Sequence, residues 1–289
     1  MSALRDALKQ GRFVITGEVG PPKGTDITKL MEEAEIIKNR MVAINVTDIQ
    51  SAVMRLGSMA VCHLLKEKGI EPIFQMVCRD RNRLALQSDL LSAYVLGIEN
   101  VLCLTGDYPT LGDHPGTKPV FDLDSVQLLA AAKGLCEGHD MAGNALEGNP
   151  DFFLGAVVTP GADPVEPQIL KMEKKVKAGA QFFQTQAVYE IDKFARFMEK
   201  VKYLNVPVLA GIVVLKGAKM AEFMNKNVAG VHVPDNIIDE LKTSTDRVKT
   251  TIEISARLIR ELKQLCQGVH IMPLGWGHHI PAILDAAGL

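Results

Sequence analysis

The chain alternates short apolar runs with stretches of helical periodicity from one end to the other, and this rhythm constrains its fold more than any other feature. Parallel strands need long crossovers, usually helices, so repeated strand–helix units predict a parallel sheet buried on both faces. Strands are read at Phe13–Glu18, Val42–Thr47, Pro72–Val77, the Val101 run that stops at Gly106, Phe153–Val158, Phe182–Gln186, Val208–Val214 and Val269–Met272. Between them, Ile27, Leu30, Met31, Ala34 and Ile37 recur at helical spacing, with Thr25 or Asp26 as the expected N-cap. Further helices are read as ending before Gly69, over Asn82–Leu96 before Gly97, over Ser125–Cys136, and over Val165–Ala178 before Gly179. Eight strands separated by helical segments predict a closed (β/α)8 TIM barrel rather than an open doubly wound sheet. No composition break marks a second domain, so residues 1–289 are read as one barrel, with residues 1–11 as an N-terminal helix.

A barrel delivers the C-terminal ends of its strands, and the loops after them, to one mouth. The polar residues that interrupt or end the strands are Glu18, Thr47 with Asp48, Gln75, Asp107, Thr159 and Gln186. Taken singly, each reads equally well as a cap or loop residue. Their agreement on one face favours a functional role. Asp107 is the sharpest signal, because Val101-Leu102-Cys103-Leu104-Thr105-Gly106 is an apolar strand that hands a carboxylate to the following loop. Glu18 ends the first strand in the same way, so two strands deliver two acids. Residues 108–124, rich in Pro, Gly and Asp, break the rhythm and suggest a functional loop, a lid or a docking surface.

Other classes find little support. A formal net charge of −2 and a pI near 6.4 give no electrostatic reason to expect nucleic acid or an anionic membrane as partner. No apolar stretch is long enough for a membrane span, and the N-terminus lacks that of a secretion signal. The five cysteines form no CxxC pair, which fits a reducing, cytoplasmic setting without a cysteine metal site. Neither GxGxxG after a strand nor a P-loop is present. The His278-His279 pair has no companions at metal spacing and reads as a surface or packing feature, so no metal is expected. Trp276, the only tryptophan, follows strand eight; its ring either packs beneath the last helix or faces the mouth, where it would stack on a planar ligand.

At this level of detail the sequence resembles the catalytic domain of the methylenetetrahydrofolate reductase family. The likeness rests on Glu18-x-x-Pro21-Pro22, Val46-Thr47, Leu104-x-Gly106-Asp107, Lys174-Lys175-Val176-x-Ala178-Gly179-Ala180 leading into Thr185-Gln186, and Val231-x-Val233-Pro234, in that order. The resemblance implies a flavin-dependent (β/α)8 barrel that reduces 5,10-methylenetetrahydrofolate to 5-methyltetrahydrofolate, of the short bacterial type. It assigns the general acid to Glu18, which would protonate N10, a role that requires a buried carboxyl. It gives Asp107 the part of an ionised carboxylate beside flavin and pterin, steadying a 5-iminium cation. Gln186 is implied to hold the folate, with Leu274 and Trp276 near it. Thr47, Gln75, Thr105, Asp107, Thr159 and Lys175 fall at flavin-contacting positions, Lys175 reaching a phosphate.

The chain departs from the family pattern at several of these positions. Thr105 stands where the family commonly has Arg, Gln75 where it has His near the end of strand three, and Thr159 where it has Tyr. These positions help hold FAD, so FMN is the alternative flavin. Trp276 occupies the region of a folate-contacting arginine, and Leu215-Lys216-Gly217-Ala218 lacks the phenylalanine that packs on nicotinamide. The implied electron donor is therefore NAD(P)H or, in its place, a partner subunit carrying iron-sulfur clusters. The expected assembly is an oligomer or a hetero-complex. Two other readings remain open, a barrel lyase without flavin and a non-catalytic barrel subunit.

Overall fold

The computed structural model describes residues 2–289 of the chain. Helix α1 (Ala3–Lys9) comes first, N-capped by Ser2, whose hydroxyl accepts from the Arg5 N–H at 3.1 Å. There follow β1 (Val14–Val19), α2 (Thr28–Ile37), β2 (Ala43–Val46), α3 (Ser58–Glu67), β3 (Pro72–Val77) and α4 (Arg83–Val95). The middle of the chain forms β4 (Asn100–Leu104), α5 (Ser125–Cys136), β5 (Phe153–Val158), α6 (Glu166–Lys177), β6 (Phe182–Ala187) and α7 (Ile191–Val201). After β7 (Val208–Val213) come three helices, α8 (Ala218–Asn227), α9 (Asp235–Thr243) and α10 (Arg247–Leu262), then β8 (Gly268–Met272) and α11 (Ile280–Ala287). All neighbouring strands pair in parallel in chain order, and β8 returns to β1, so the barrel is closed as expected. No described helix is long and apolar enough to cross a membrane.

Alternation along the strands divides the apolar residues into two layers. Val14, Ala43, Ile73, Leu102, Phe153, Phe182 and Leu209, one from each of β1 to β7, fill the barrel's interior, and Leu4 and Ala7 of α1 pack onto them from the N-terminal end. The second, larger layer lies between the sheet and the surrounding helices. Interior packing is close. Gly155 has no side chain because a Cβ there would lie 2.3 Å from Cζ of Phe182, whose ring stacks on Phe153 with centroids 4.9 Å apart.

Several boundaries differ from the sequence reading. Strand β4 ends at Leu104, two residues short of the Gly106 stop read from the sequence, and Asp107 lies in the loop beyond it as expected. The cause is Gly106, which turns the chain at φ +94° and passes so close to β3 that a Cβ would sit 3.1 Å from Cβ of Val77 and 3.2 Å from that of Arg79. Helix α2 is capped by neither Thr25 nor Asp26: Ile27 takes the cap position, and Asp26 instead accepts from the Thr28 N–H at 3.0 Å. The described part of the N-terminal helix ends at Lys9, two residues before Gly11, and Met1 lies outside the described residues. Residues 108–124 fold back on the loop after β2. Asp113 accepts from the Met54 N–H at 3.0 Å and pairs with Lys23, while Tyr108 stacks on Phe121 at 5.9 Å.

Candidate active site

Strand register brings Glu18 together with residues the sequence did not single out. Glu18 lies beside Asn45, and Thr16, two residues earlier on the same face, lies beside His270. Gln75 is two residues beyond Ile73, the partner of Asn45. Four strands thus aim polar side chains at one place inside the barrel. Gln75 Nε2 lies 3.3 Å from Glu18 Oε2 and 3.3 Å from Asn45 Oδ1. His270 Nε2 is 3.6 Å from Glu18 Oε2, and its Nδ1 is 3.2 Å from Thr16 Oγ1 and 3.3 Å from Asn45 Nδ2. Glu18 is only 9% exposed, and the network around it offers amides, a hydroxyl and an imidazole but no lysine or arginine. It borders a cavity of about 560 Å³ that Lys29, Arg55, Gln50 and Leu274 also line.

Asp107 borders a second cavity, of about 540 Å³, and Gln50 lines both. Asp107 is exposed. Its carboxylate has no hydrogen bond or ion pair among the described residues. Its backbone carbonyl is held instead, by the buried Arg79 guanidinium at 3.2 Å. Opposite in character, α6 contributes Lys171, Lys174 and Lys175 to the same cavity. Their spacing of three and four residues puts all three on one helical face. Lys175 is buried and donates to the Val157 carbonyl at 2.7 Å. Burial, and secondarily the charge of Lys171, pulls its pKa down to about 8. A buried cation with cationic neighbours favours an anionic ligand.

The remaining expected site residues distribute as follows. Gln75, Thr105, Thr159 and Gln186 line the Asp107 cavity. The Thr105 hydroxyl also accepts from the Ser125 N–H at 3.2 Å, at the start of α5. Thr47 is buried at the end of β2, and its hydroxyl has no hydrogen-bond partner. Asp48 reaches the same cavity, but its carboxylate is spent on Arg81, at 2.7 and 3.2 Å, and on the Val77 N–H at 3.0 Å. Leu274 and Gly275 line the Glu18 cavity, whereas Trp276 packs on the helix–sheet core and meets the His279 ring edge-on at 4.9 Å. His278 is exposed and His279 half-buried, and burial with the adjacent His278 lowers the pKa of His279. No group of three or more His, Cys, Asp or Glu among the described residues is arranged to hold a metal.

Arg79, Asn45, His270, Arg55 and Lys171 were not anticipated. Asn45 and His270 carried a signal, a polar residue inside an apolar strand, and Arg79 follows β3 by two residues in a run of charge. Their meeting points depend on register between strands, which the sequence does not display.

Comparison with known proteins agrees with this geometry. The family profile described as methylenetetrahydrofolate reductase matches residues 3–288. A probable methylenetetrahydrofolate reductase (NADPH) of Caenorhabditis elegans is 24% identical over 81% of this chain, which spans only 34% of that protein's length. A 5,10-methylenetetrahydrofolate reductase of Pectobacterium carotovorum subsp. carotovorum is 22% identical, over 78% of this chain and 72% of its own. Among solved structures, an uncharacterized protein from Clostridium thermocellum that binds two copies of 5-methyl-5,6,7,8-tetrahydrofolic acid superposes with a TM-score of 0.65 at 17% identity, covering 99% of this chain and 97% of its own. That likeness establishes a shared fold. The match of the family profile along almost the whole sequence places the chain in the methylenetetrahydrofolate reductase family.

Proposed function

We propose that this chain is a flavoprotein that reduces 5,10-methylenetetrahydrofolate to 5-methyltetrahydrofolate, drawing electrons from a partner subunit with iron-sulfur clusters. One observation carries the reading: a carboxyl at the end of β1 and a carboxyl just beyond β4 border adjoining cavities but stand in different immediate surroundings. Glu18 is buried among neutral donors, and Asp107 is exposed beside three lysines. Separate environments allow two carboxyls to take opposite roles in one reaction.

The Asp107 cavity suits a flavin, FAD or FMN. Its volume falls in the range of about 300–1,000 Å³ common to cofactor sites. The lysines supply charge for phosphate; the Thr47 hydroxyl, buried without a partner, lies toward Gly20 on the Glu18 side. Thr47, Gln75, Thr105, Thr159 and Lys175 would hold the cofactor. A bound reduced flavin supplies a hydride.

The chain's own residues supply the rest. Glu18 gives its proton to N10 of the folate. The bond between the methylene carbon and N10 then breaks, its electron pair passing to N10, and the N5 lone pair completes a 5-iminium cation. Asp107 offsets that positive charge, and hydride addition at the methylene carbon leaves N5-methyl. Gln186 hydrogen-bonds the pterin, and Leu274 closes over it; a hydride moves only at close contact.

The donor assignment rests on the loop after β7, where Leu215-Lys216-Gly217-Ala218 offers no aromatic ring to a nicotinamide. The test is anaerobic. The purified chain is assayed for flavin, reduced, and mixed with 5,10-methylenetetrahydrofolate. Reoxidation with formation of 5-methyltetrahydrofolate supports the proposal. A colourless protein that takes up neither FAD nor FMN overturns it, and rapid oxidation of NADH by the isolated chain overturns the partner donor.

A further inference from the structure

We infer that His270 is a positioning residue for Glu18, a neutral imidazole whose Nε2–H faces Oε2 and so leaves the transferable proton on Oε1. The inference rests on the general-acid role proposed for Glu18.

The argument starts from a group whose role is fixed. The Gly17 carbonyl can only accept, so the Asn45 atom 3.2 Å from it is the amide nitrogen. Asn45 Oδ1 then faces Gln75 Nε2 at 3.3 Å, a consistent donor–acceptor pair. The second hydrogen of Asn45 Nδ2 is directed at His270 Nδ1, 3.3 Å away. Nδ1 then presents its lone pair to Asn45 Nδ2 and to the Thr16 hydroxyl at 3.2 Å, which donates to it rather than to the Val269 carbonyl at 3.5 Å, and a neutral imidazole of that kind carries its hydrogen on Nε2.

That hydrogen faces Glu18. The separation of 3.6 Å is longer than a formed hydrogen bond. Such contacts tighten when the ligand binds. With Gln75 Nε2 at 3.3 Å, Oε2 meets two N–H donors, and a third hydrogen on Oε2 would oppose both. Oε1 has no described partner and takes the proton. When the proton leaves, the charge that develops on the carboxylate is already faced by two donors.

A proton relay through His270 is disfavoured by the same contacts. The residue is 3% exposed, and its Nδ1 meets only Asn45 and the Thr16 hydroxyl. Glu18 on β1 is the sole charged group facing it; β2 and β3 bring Asn45 and Gln75, and β7 brings none.

Two variants separate the contacts. His270→Asn keeps an acceptor for Asn45 and has nothing facing Glu18, whereas His270→Gln extends an amide N–H toward it. We expect His270→Asn to lower kcat of folate-dependent reoxidation by about ten- to a hundredfold with KM nearly unchanged, and His270→Gln to recover most of that loss. Independently of turnover, nitrogen NMR of the histidine-labelled chain, with His270→Asn assigning the signal, should show His270 as the Nε2–H tautomer. Equal kcat in the two variants, or an Nδ1–H form, overturns the proposal. A wild-type chain that never turns over the folate overturns the reductase reading instead, and the NMR result then decides the tautomer by itself.

Discussion

Arg79 donates through Nη1 to the Asp107 carbonyl and through Nη2 to the Ile49 carbonyl, each at 3.2 Å, so one buried guanidinium ties the loops after β4 and β2 together. Its other contacts are bidentate to Asp80, at 2.9 and 2.8 Å. Ile49 sits at φ +45°, a left-handed conformation that costs a β-branched residue about 1–3 kcal/mol and persists only where its surroundings enforce it. Arg79→Met should therefore destabilise the fold by about 2–4 kcal/mol and open residues 108–121 to limited proteolysis. Urea denaturation reads the first effect. A variant as stable and as protease-resistant as the native chain would show that the tie holds nothing.

Glu18 and the α6 lysines line different cavities. Glu18→Gln should thus leave flavin content unchanged while slowing reoxidation by the folate about 10²–10⁴-fold. Stopped-flow absorbance separates the two half-reactions. Loss of flavin in this variant would contradict the separation of the cavities.

The pKa of Lys175 is lowered to about 8 from an ordinary 10.5, so between those values the unfolded chain binds more protons than the folded one. Stability contributed by this site consequently rises with pH through that window, and charging the buried amine costs stability below it. Lys175→Met should remove this rise and raise the apo-protein's Tm at pH 7, while weakening binding of a phosphate-bearing flavin. Denaturation curves at pH 7, 8 and 10 for both proteins check the sign. An identical pH dependence in the two would refute it.

Leu274, at φ +49°, reaches over the Glu18 cavity, and Trp276 does not line it. Leu274→Ala should raise the folate KM about three- to tenfold, the loss of roughly 1 kcal/mol of apolar contact. Trp276→Ala should cost about 1–3 kcal/mol of stability with KM little altered. Steady-state kinetics beside thermal melts would expose a reversal of these roles.

Much of the barrel was legible because its signal is local. The bounds of β3, β5 and α5 follow from apolar runs and their flanking turns, and they agree with the structure. Strand β4 stops two residues before the Gly106 read as its end, since the turn at Gly106 answers to the side chains of β3 and not to its own neighbours. The stretch from β7 to β8, in which no helix was read, holds three, and α8 to α10 pack on each other as well as on the barrel. In the site, Glu18 and Asp107 were visible as acids ending apolar strands. Asn45 and His270 showed only as polar residues inside apolar strands, because their partners lie 28 to 254 residues away and meet them only through register.

The plug formed by α1 beneath the barrel has a kinetic consequence. With Leu4 and Ala7 sealing the N-terminal end, the interior opens to solvent at the other end alone. A small dye reductant used in place of the protein donor, and a folate, would both reach a flavin in this mouth through one doorway. Their visits are then expected to alternate, the first leaving before the second arrives, and initial-rate plots at several fixed concentrations of one reactant should run as parallel lines.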